Sequence, residues 1–344
     1  MALEQSVLTA ESMRMLLNGH YGLQMRETVR LPLGTANCYR VQTEIGPVFL
    51  KEFQAGFDRD ALTREARLTE HLAACGVPTA RFLRTIAGGT CFVYEGHSIA
   101  LETYVEGETF DYEDFPPERL SSLARMLGKI HRALAEEDLP EDMGREWLDS
   151  YSPEEAAARY DRLMRLAGER ADDPNILEVL CALGYKKELA FRAEEYKKYF
   201  SGITYGGTHG DYQGCQTVWE GEDIRAVVDF SSARRLPLVW EIMRSFAQSS
   251  RACRQECIVD TDGLCRYVAE YLKEFSLTEA DLAAMPYVYL FQLARSRYGF
   301  NEYLTTHSED RDSLLRFALW RTEMCRYLEE HGKEIAEKLL ELKH

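Results

Sequence analysis

The sequence has no window of about eighteen apolar residues, the length a helix needs to cross a bilayer, and this excludes a spanning helix. Its first residues, Met1-Ala2-Leu3-Glu4-Gln5, hold neither a basic region nor an apolar stretch of signal-peptide length, so the expected location is cytoplasmic. Positive charge is scarce. The 57 Asp+Glu against 41 Lys+Arg give a formal net charge of −16. Such a balance repels phosphate polyanions and argues against nucleic acid or an anionic membrane as partner; it suits a neutral or cationic small molecule. The nine cysteines are scattered from Cys38 to Cys325, and no His or further Cys near Cys253 and Cys257 completes a zinc set. They read as reduced thiols. Also missing are a G-x-x-x-x-G-K-[ST] loop, a G-x-G-x-x-G turn after a strand and a G-x-S-x-G elbow, as well as any repeat or low-complexity segment.

What is present is the mixture of a globular protein, with 45% hydrophobic and 28% charged residues. A chain of 344 residues is long enough to divide into two lobes. After a helical start at Thr9–Leu17, brief runs rich in Val, Ile, Thr, Tyr and Phe read as strands: Met25–Leu33, Asn37–Gln42, Pro47–Phe53, Arg81–Ile86, Thr90–Tyr94 and Ser98–Val105. One helix, Asp58–Cys75, interrupts them and stops at Gly76. Beyond Val105 the pattern is helical: Pro117–Glu136, Pro153–Leu166, Asn175–Tyr199, Val239–Arg251, Cys265–Phe275, Leu277–Leu304 and Arg311–Lys338. A two-strand island, Thr217–Trp219 and Arg225–Phe230, is set among these helices. The expected architecture is therefore α+β, with a small antiparallel β-rich lobe over residues 1–104 and a large helical lobe over 105–344.

Chemistry concentrates in short pieces. His209-Gly210-Asp211 is followed by Gln216, the strand Thr217-Val218-Trp219, and then Asp229-Phe230. A carboxylate before a hairpin, an amide five positions on and a second carboxylate past the hairpin suit phosphoryl transfer. Asp211 would take the acceptor proton, and Gln216 and Asp229 would hold Mg²⁺ on nucleotide phosphates. Taken alone, the fragment reads equally well as loop caps and a turn. Lys51, between apolar neighbours on a strand, becomes informative through Glu65 in the next helix, which can hold its ammonium; Glu65 could equally pair with Arg64 or Arg67. The turn Gly34–Asn37 precedes that strand, and Glu102-Thr103-Tyr104 joins the lobes, offering free backbone groups to an adenine edge. Glycine turn, strand Lys, helix Glu, linker, H-x-D-x-x-x-x-Q and a later Asp-Phe follow the order of a protein-kinase-like fold.

At these residues the chain resembles the aminoglycoside phosphotransferase family, which also contains choline, homoserine and methylthioribose kinases. His209-Gly210-Asp211 matches its H-G-D, Cys75-Gly76-Val77-Pro78 its G-V-P after a helix, Val105-Glu106-Gly107-Glu108 its linker, and Trp240-Glu241-Ile242-Met243-Arg244 its post-metal helix. The resemblance implies a protein-kinase-like two-lobe fold using ATP and Mg²⁺. Asp211 would be the catalytic residue, with Gln216 and Asp229 as metal ligands and Lys51 paired with Glu65 on the phosphates. Gly34 and Asn37 would cover the phosphates, backbone at Glu102 and Tyr104 would hold adenine, and His209 would brace the loop. Two residues depart from the family pattern: Gln216 replaces an Asn and Glu241 an Asp.

The acceptor is less legible. Glu106, Glu108, Asp111, Glu113 and Asp114 would attract amino-bearing substrates if they rim the cleft, whereas Arg244, Arg295 and Arg297 would greet a carboxylate. The expected function is phosphorylation of a hydroxyl on a small metabolite such as an amino alcohol, sugar or aminoglycoside. The alternative is a non-catalytic nucleotide-binding scaffold of the same fold.

Overall fold

A computed structural model of the chain describes residues 4–31, 36–139, 150–306 and 311–343. Two compact units emerge. One joins Ala2–Thr109 to Thr217–Ser231, and the other joins Phe110–Gln216 to Ser232–His344. The chain thus leaves the first unit after Thr109 rather than after Tyr104, where the sequence pattern suggests the boundary. The hairpin expected within the helical lobe belongs to the first unit, as a separate two-stranded sheet. Backbone pairing explains both differences: Glu108 exchanges hydrogen bonds with Trp219 (2.8 and 2.9 Å), and the Val227 N–H donates to Pro78 (2.8 Å).

In the smaller unit, α1 (Ala10–Tyr21) opens with a reciprocal cap between Thr9 and Ser12. Its sheet contains β1 (Met25–Leu31), β2 (Asn37–Thr43), β3 (Gly46–Ala55), β4 (Cys91–Tyr94) and β5 (His97–Thr103), in the antiparallel order β1-β2-β3-β5-β4. Side-chain alternation along the strands gives the sheet two buried faces. Val41, Leu50, Ile99 and Leu101 pack with Leu17 of α1 on one face. Cys38, Phe53 and Ala100 pack with Leu62 and Ala66 of α2 (Arg59–Ala74) on the other. The strand expected over Arg81–Ile86 reduces to a single bridge, Phe82 to Glu102. Beyond it the backbone turns back on itself, with the Thr85 N–H donating to Gly89 and the Gly88 N–H to Thr85. The hairpin of β7 (Thr217–Glu220) and β8 (Asp223–Val227) completes this unit, β6 falling in the other.

In the larger unit, α3 (Leu120–Ala133), α4 (Pro153–Gly168) and α5 (Ile176–Tyr196) precede β6 (Tyr205–Thr208). β9 (Arg234–Pro237) pairs antiparallel with β6, Tyr205 opposite Pro237 and Thr208 opposite Arg234. Neither strand was legible in the sequence, because four residues carry no periodicity. α6 (Leu238–Ser249) follows β9 directly and is buried over most of its surface. It packs against α3 and against α8 (Glu279–Arg295), and α7 (Thr261–Leu272) packs on α3. The long helix expected over Leu277–Leu304 is broken. α8 ends at Arg295 and α9 (Phe300–Thr305) starts after Gly299, whose φ of 92° suits glycine and whose N–H donates to Glu302 (2.6 Å). The exposed α8 carbonyls are satisfied by buried side chains, Lys186 on Leu293 and Tyr160 on Ala294. The final helix, α10 (Arg311–Leu340), lies along α8. Among the described residues no helix is long and apolar enough to cross a membrane.

Candidate active site

The smaller unit gathers four charged groups, Glu65 and Glu102 buried and Lys51 and Asp229 half-buried. Lys51 lies on β3 with the parity of Phe49 and Phe53, so it projects from the face that α2 covers. Glu102 has the matching parity on the paired strand β5, where Phe49 is its cross-strand neighbour. The result is a buried ion pair, Lys51 Nζ to Glu102 Oε1 at 2.9 Å. Glu65 projects from α2 into the same cluster and is itself buried. Asp229 follows the hairpin with φ 65°, a left-handed backbone rare for a non-glycine residue. Its Oδ1 accepts a hydrogen bond from Ser231 (2.8 Å).

Three carboxylates thus surround one ammonium, and the titration behaviour follows. Burial alone would lower the Lys51 ammonium, but Glu102, Glu65 and Asp229 outweigh it and hold it far above the ordinary lysine value. Burial pushes the Glu65 carboxyl up to about 7; Lys51 opposes this, while Glu102 and Asp229 add to it. The sequence order suggests Glu65 as the lysine's partner. The close contact belongs to Glu102, with Glu65 acting through the electrostatics of the cluster.

Other residues named for this half have separate positions. Asn37 is buried at the start of β2, its side chain accepting from Arg30 (2.7 Å) and donating to the Glu4 carbonyl (3.1 Å). Tyr104 lies under the Arg40 guanidinium, 5.0 Å from the ring centroid, and Arg40 also pairs with Glu106 at 2.8 Å. Gly34 lies outside the described residues.

In the larger unit, β6 delivers the loop His209–Gln216 and β9 delivers α6, so the strand pair sets the helix start beside the loop. Glu241, in the first turn of α6, accepts from the backbone N–H groups of His209 (3.0 Å) and Gly210 (2.6 Å). His131 of α3 bonds the same carboxylate (2.9 Å), and its other ring nitrogen meets the Tyr271 hydroxyl (2.8 Å). Burial pushes the Glu241 carboxyl up, but these hydrogen bonds and the His131 and His209 rings outweigh it and leave it below its ordinary value. Gly210 has φ 84°, and a Cβ there would lie 2.0 Å from the Ser232 carbonyl. The loop is tied further by the Tyr212 hydroxyl on Leu123 (2.9 Å) and the Gly214 N–H on Ser249 (2.9 Å).

On this frame the Asp211 carboxylate is partly open, 32% exposed. Its own N–H donates to His209 Nδ1 (3.3 Å), which gives His209 a bracing contact. Gln216 Nε2 donates to Asp211 Oδ2 (3.1 Å), and Arg244, one α6 turn beyond Glu241, pairs with Oδ1. Residue type alone suggests a place for Arg244 in acceptor recognition; its pairing with Asp211 is not legible from the sequence, nor is the part of His131. The same unit holds a cavity of about 600 Å³ lined by Tyr151, Arg159, Arg295, Arg297, Tyr298 and Asn301 among others. Tyr289 and Phe291 are core residues.

A small unit with an antiparallel sheet and one inserted helix, and a helical unit carrying an H-G-D loop beside a short strand pair, define a kinase-like phosphotransferase fold. The profile of the phosphotransferase enzyme family (APH) matches residues 27–260, and the chain belongs to that family. Solved structures agree in fold. One is a spectinomycin phosphotransferase in complex with ADP and spectinomycin (13% identity, TM-score 0.63, 98% of this chain and 99% of that one). Another is an aminoglycoside phosphotransferase from Alicyclobacillus acidocaldarius (13%, TM-score 0.66, 97% and 98%). A third is an amicoumacin kinase in complex with AMP-PNP, Ca²⁺ and Ami (14%, TM-score 0.61, 92% and 93%). No curated protein matches the chain.

Proposed function

We propose that the protein is an ATP- and Mg²⁺-dependent kinase that phosphorylates a hydroxyl group of a small molecule. The carrying observation is Asp211: a half-open carboxylate on a loop whose amides are capped by a buried Glu241, flanked by a side-chain amide and a guanidinium. That is the support a base needs to orient an acceptor hydroxyl and take its proton. The new O–P bond forms as the bond to the β-phosphate oxygen breaks, and ADP departs. Family membership supports phosphotransfer, and the ADP and AMP-PNP of the solved relatives support the nucleotide.

In this reading Lys51, held by Glu102, meets α- and β-phosphate oxygens. Gln216 and Asp229 supply hard oxygens to Mg²⁺, which neutralises phosphate charge when bound. The residues fit that part. Gln216 spends its N–H on Asp211 and keeps Oε1 as an acceptor. The Lys51 cluster holds three carboxylates to one cation, an excess that a divalent ion would balance. Among the described residues no three His, Cys, Asp or Glu form a metal cage, so an ion would take its other ligands from phosphate and water, as Mg²⁺ commonly does.

The test is Asp211→Asn. ATP-dependent phosphorylation should fall about 10²- to 10⁴-fold while nucleotide binding persists. Unchanged turnover would remove Asp211 from the chemistry. The Arg244–Asp211 pair favours one rival, a non-catalytic nucleotide binder in which that pair stays closed. Mg²⁺-indifferent ATP binding without turnover of any acceptor would support it.

A further inference from the structure

We infer that the acceptor handled beside Asp211 is an anion: a hydroxyl compound carrying a carboxylate or a phosphate ester, bound through Arg254 and Arg321 with Arg244 shared between it and Asp211. The inference rests on the proposed kinase reading for the role of Asp211, and on the larger unit alone for its geometry.

A continuous polar network leads away from Asp211. Arg244 pairs with Asp211 and lies 5.7 Å from the Trp240 ring centroid. With its amide oriented to satisfy its neighbours, Gln248 accepts from Arg244 Nε and Nη2 (3.2 Å each) and donates to Gln213 Oε1 (2.5 Å). Gln213 in turn donates to the Tyr112 hydroxyl (3.2 Å). The Arg254 guanidinium lies 5.5 Å from the Tyr112 ring, 5.5 Å from Phe317 and 4.3 Å from Trp320, and Arg321 lies 5.5 Å from the same Phe317 ring. Arg254 thus meets the Tyr112 end of this network, and Arg321 shares the Phe317 ring with it.

Their charges are poorly matched. Arg244 has Asp211. Arg254, 7% exposed, has only Glu113 at 4.0 Å, a carboxylate mostly in solvent. Arg321 has no carboxylate within 4.0 Å among the described residues. Arg254 Nε and Nη1, Arg244 Nη1 and the Tyr289 hydroxyl are all buried without a hydrogen-bond partner. Water could satisfy such donors, but it cannot neutralise the cations, and guanidinium does not release its proton. Burial draws both Arg254 and Arg321 below the ordinary arginine value, as expected of cations held without a counter-ion. A buried unpaired charge is costly, and an oxyanion is the group that a guanidinium fork fits in two parallel hydrogen bonds.

A second observation extends the trend. Tyr298, on the wall of the cavity described above, packs edge-on against Phe317 (6.0 Å between centroids). That wall also carries Arg159, Arg295 and Arg297. Its two carboxylates are already engaged, Glu155 with Arg159 and Glu302 with the Gly299 N–H. In a protein of net charge −16, this wall still carries three arginines against two engaged carboxylates. A polycationic aminoglycoside would meet repulsion there.

The experiment measures ATP-dependent phosphorylation of paired acceptors at equal ionic strength: glycerate and glycerol phosphate against glycerol, ribose phosphate against ribose, and choline and spectinomycin as cations. Thermal shifts with the same compounds run in parallel. Anionic acceptors should be preferred over their uncharged parents. Arg254→Gln and Arg321→Gln should each cut kcat/KM for the anion about 10- to 100-fold, chiefly through KM, and the anion-specific thermal shift should vanish with them. Arg254→Lys, which keeps the charge, should retain part of both, and the melting temperature of each free variant reports folding. Glycerate against glycerol phosphate decides which oxyanion is taken. Preference for glycerol, ribose or the cations would overturn the inference. So would anion preference surviving both glutamine variants, or the absence of any anion-specific shift in the wild type. Loss of ATP binding or turnover with anion shifts intact would sink the kinase reading alone.

Discussion

Glu65 carries the clearest titration signature. Its carboxyl titrates at about 7 in the folded chain against 4.5 for the ordinary group, so between those values the folded state holds a proton that the unfolded chain has lost. Stability from this group is fully present below the unfolded value and declines as pH rises through about 7. Glu65→Gln should remove that decline, and denaturant titrations of wild type and variant at several pH values check it. Parallel curves would place the proton elsewhere. Lys51 behaves in the opposite sense to a simple buried lysine because three carboxylates hold it charged. Lys51→Ala would leave those carboxylates crowded without a cation, and its cost should exceed that of a surface lysine.

Among the elements, the β6–β9 pair and the start of α6 carry the most weight, because they turn a flexible H-G-D tripeptide into a fixed platform. Glu241→Ala would orphan two loop N–H groups and leave one ring nitrogen of His131 without its carboxylate, a loss of about 3–5 kcal/mol by analogy with other broken buried pairs, read as a lower denaturation midpoint at unchanged slope. Glu241→Gln keeps one acceptor oxygen and should fall between. Gly210→Ala meets both a left-handed backbone and the Ser232 carbonyl, so activity should drop further than stability does. Equal losses in unfolding and turnover would mean that the loop is merely part of the core. The break between α8 and α9 belongs to this scale too. The sequence suggests one helix from Leu277 to Leu304, and what divides it is Gly299 together with Tyr160 and Lys186 seizing the α8 carbonyls.

Across the whole molecule, binding of nucleotide to the folded chain must raise its stability by mass action, about 2.7 kcal/mol at a hundredfold excess over Kd. MgATP should therefore raise the melting temperature; Lys51→Ala should abolish the rise, and Asp229→Asn should remove the part that depends on Mg²⁺. A rise indifferent to Lys51 would point to a nucleotide site elsewhere. The sequence by itself determined the α+β plan, the helix after the third strand and the order of the chemical residues, because periodicity, caps and motif spacing are properties of neighbouring positions. Only the tertiary structure decided that Glu102 rather than Glu65 touches Lys51, that Arg244 closes on Asp211, and that the hairpin belongs to the smaller unit. Those outcomes depend on strand register and helix packing between residues far apart in the chain, where a one-residue slip would turn a side chain to the other face.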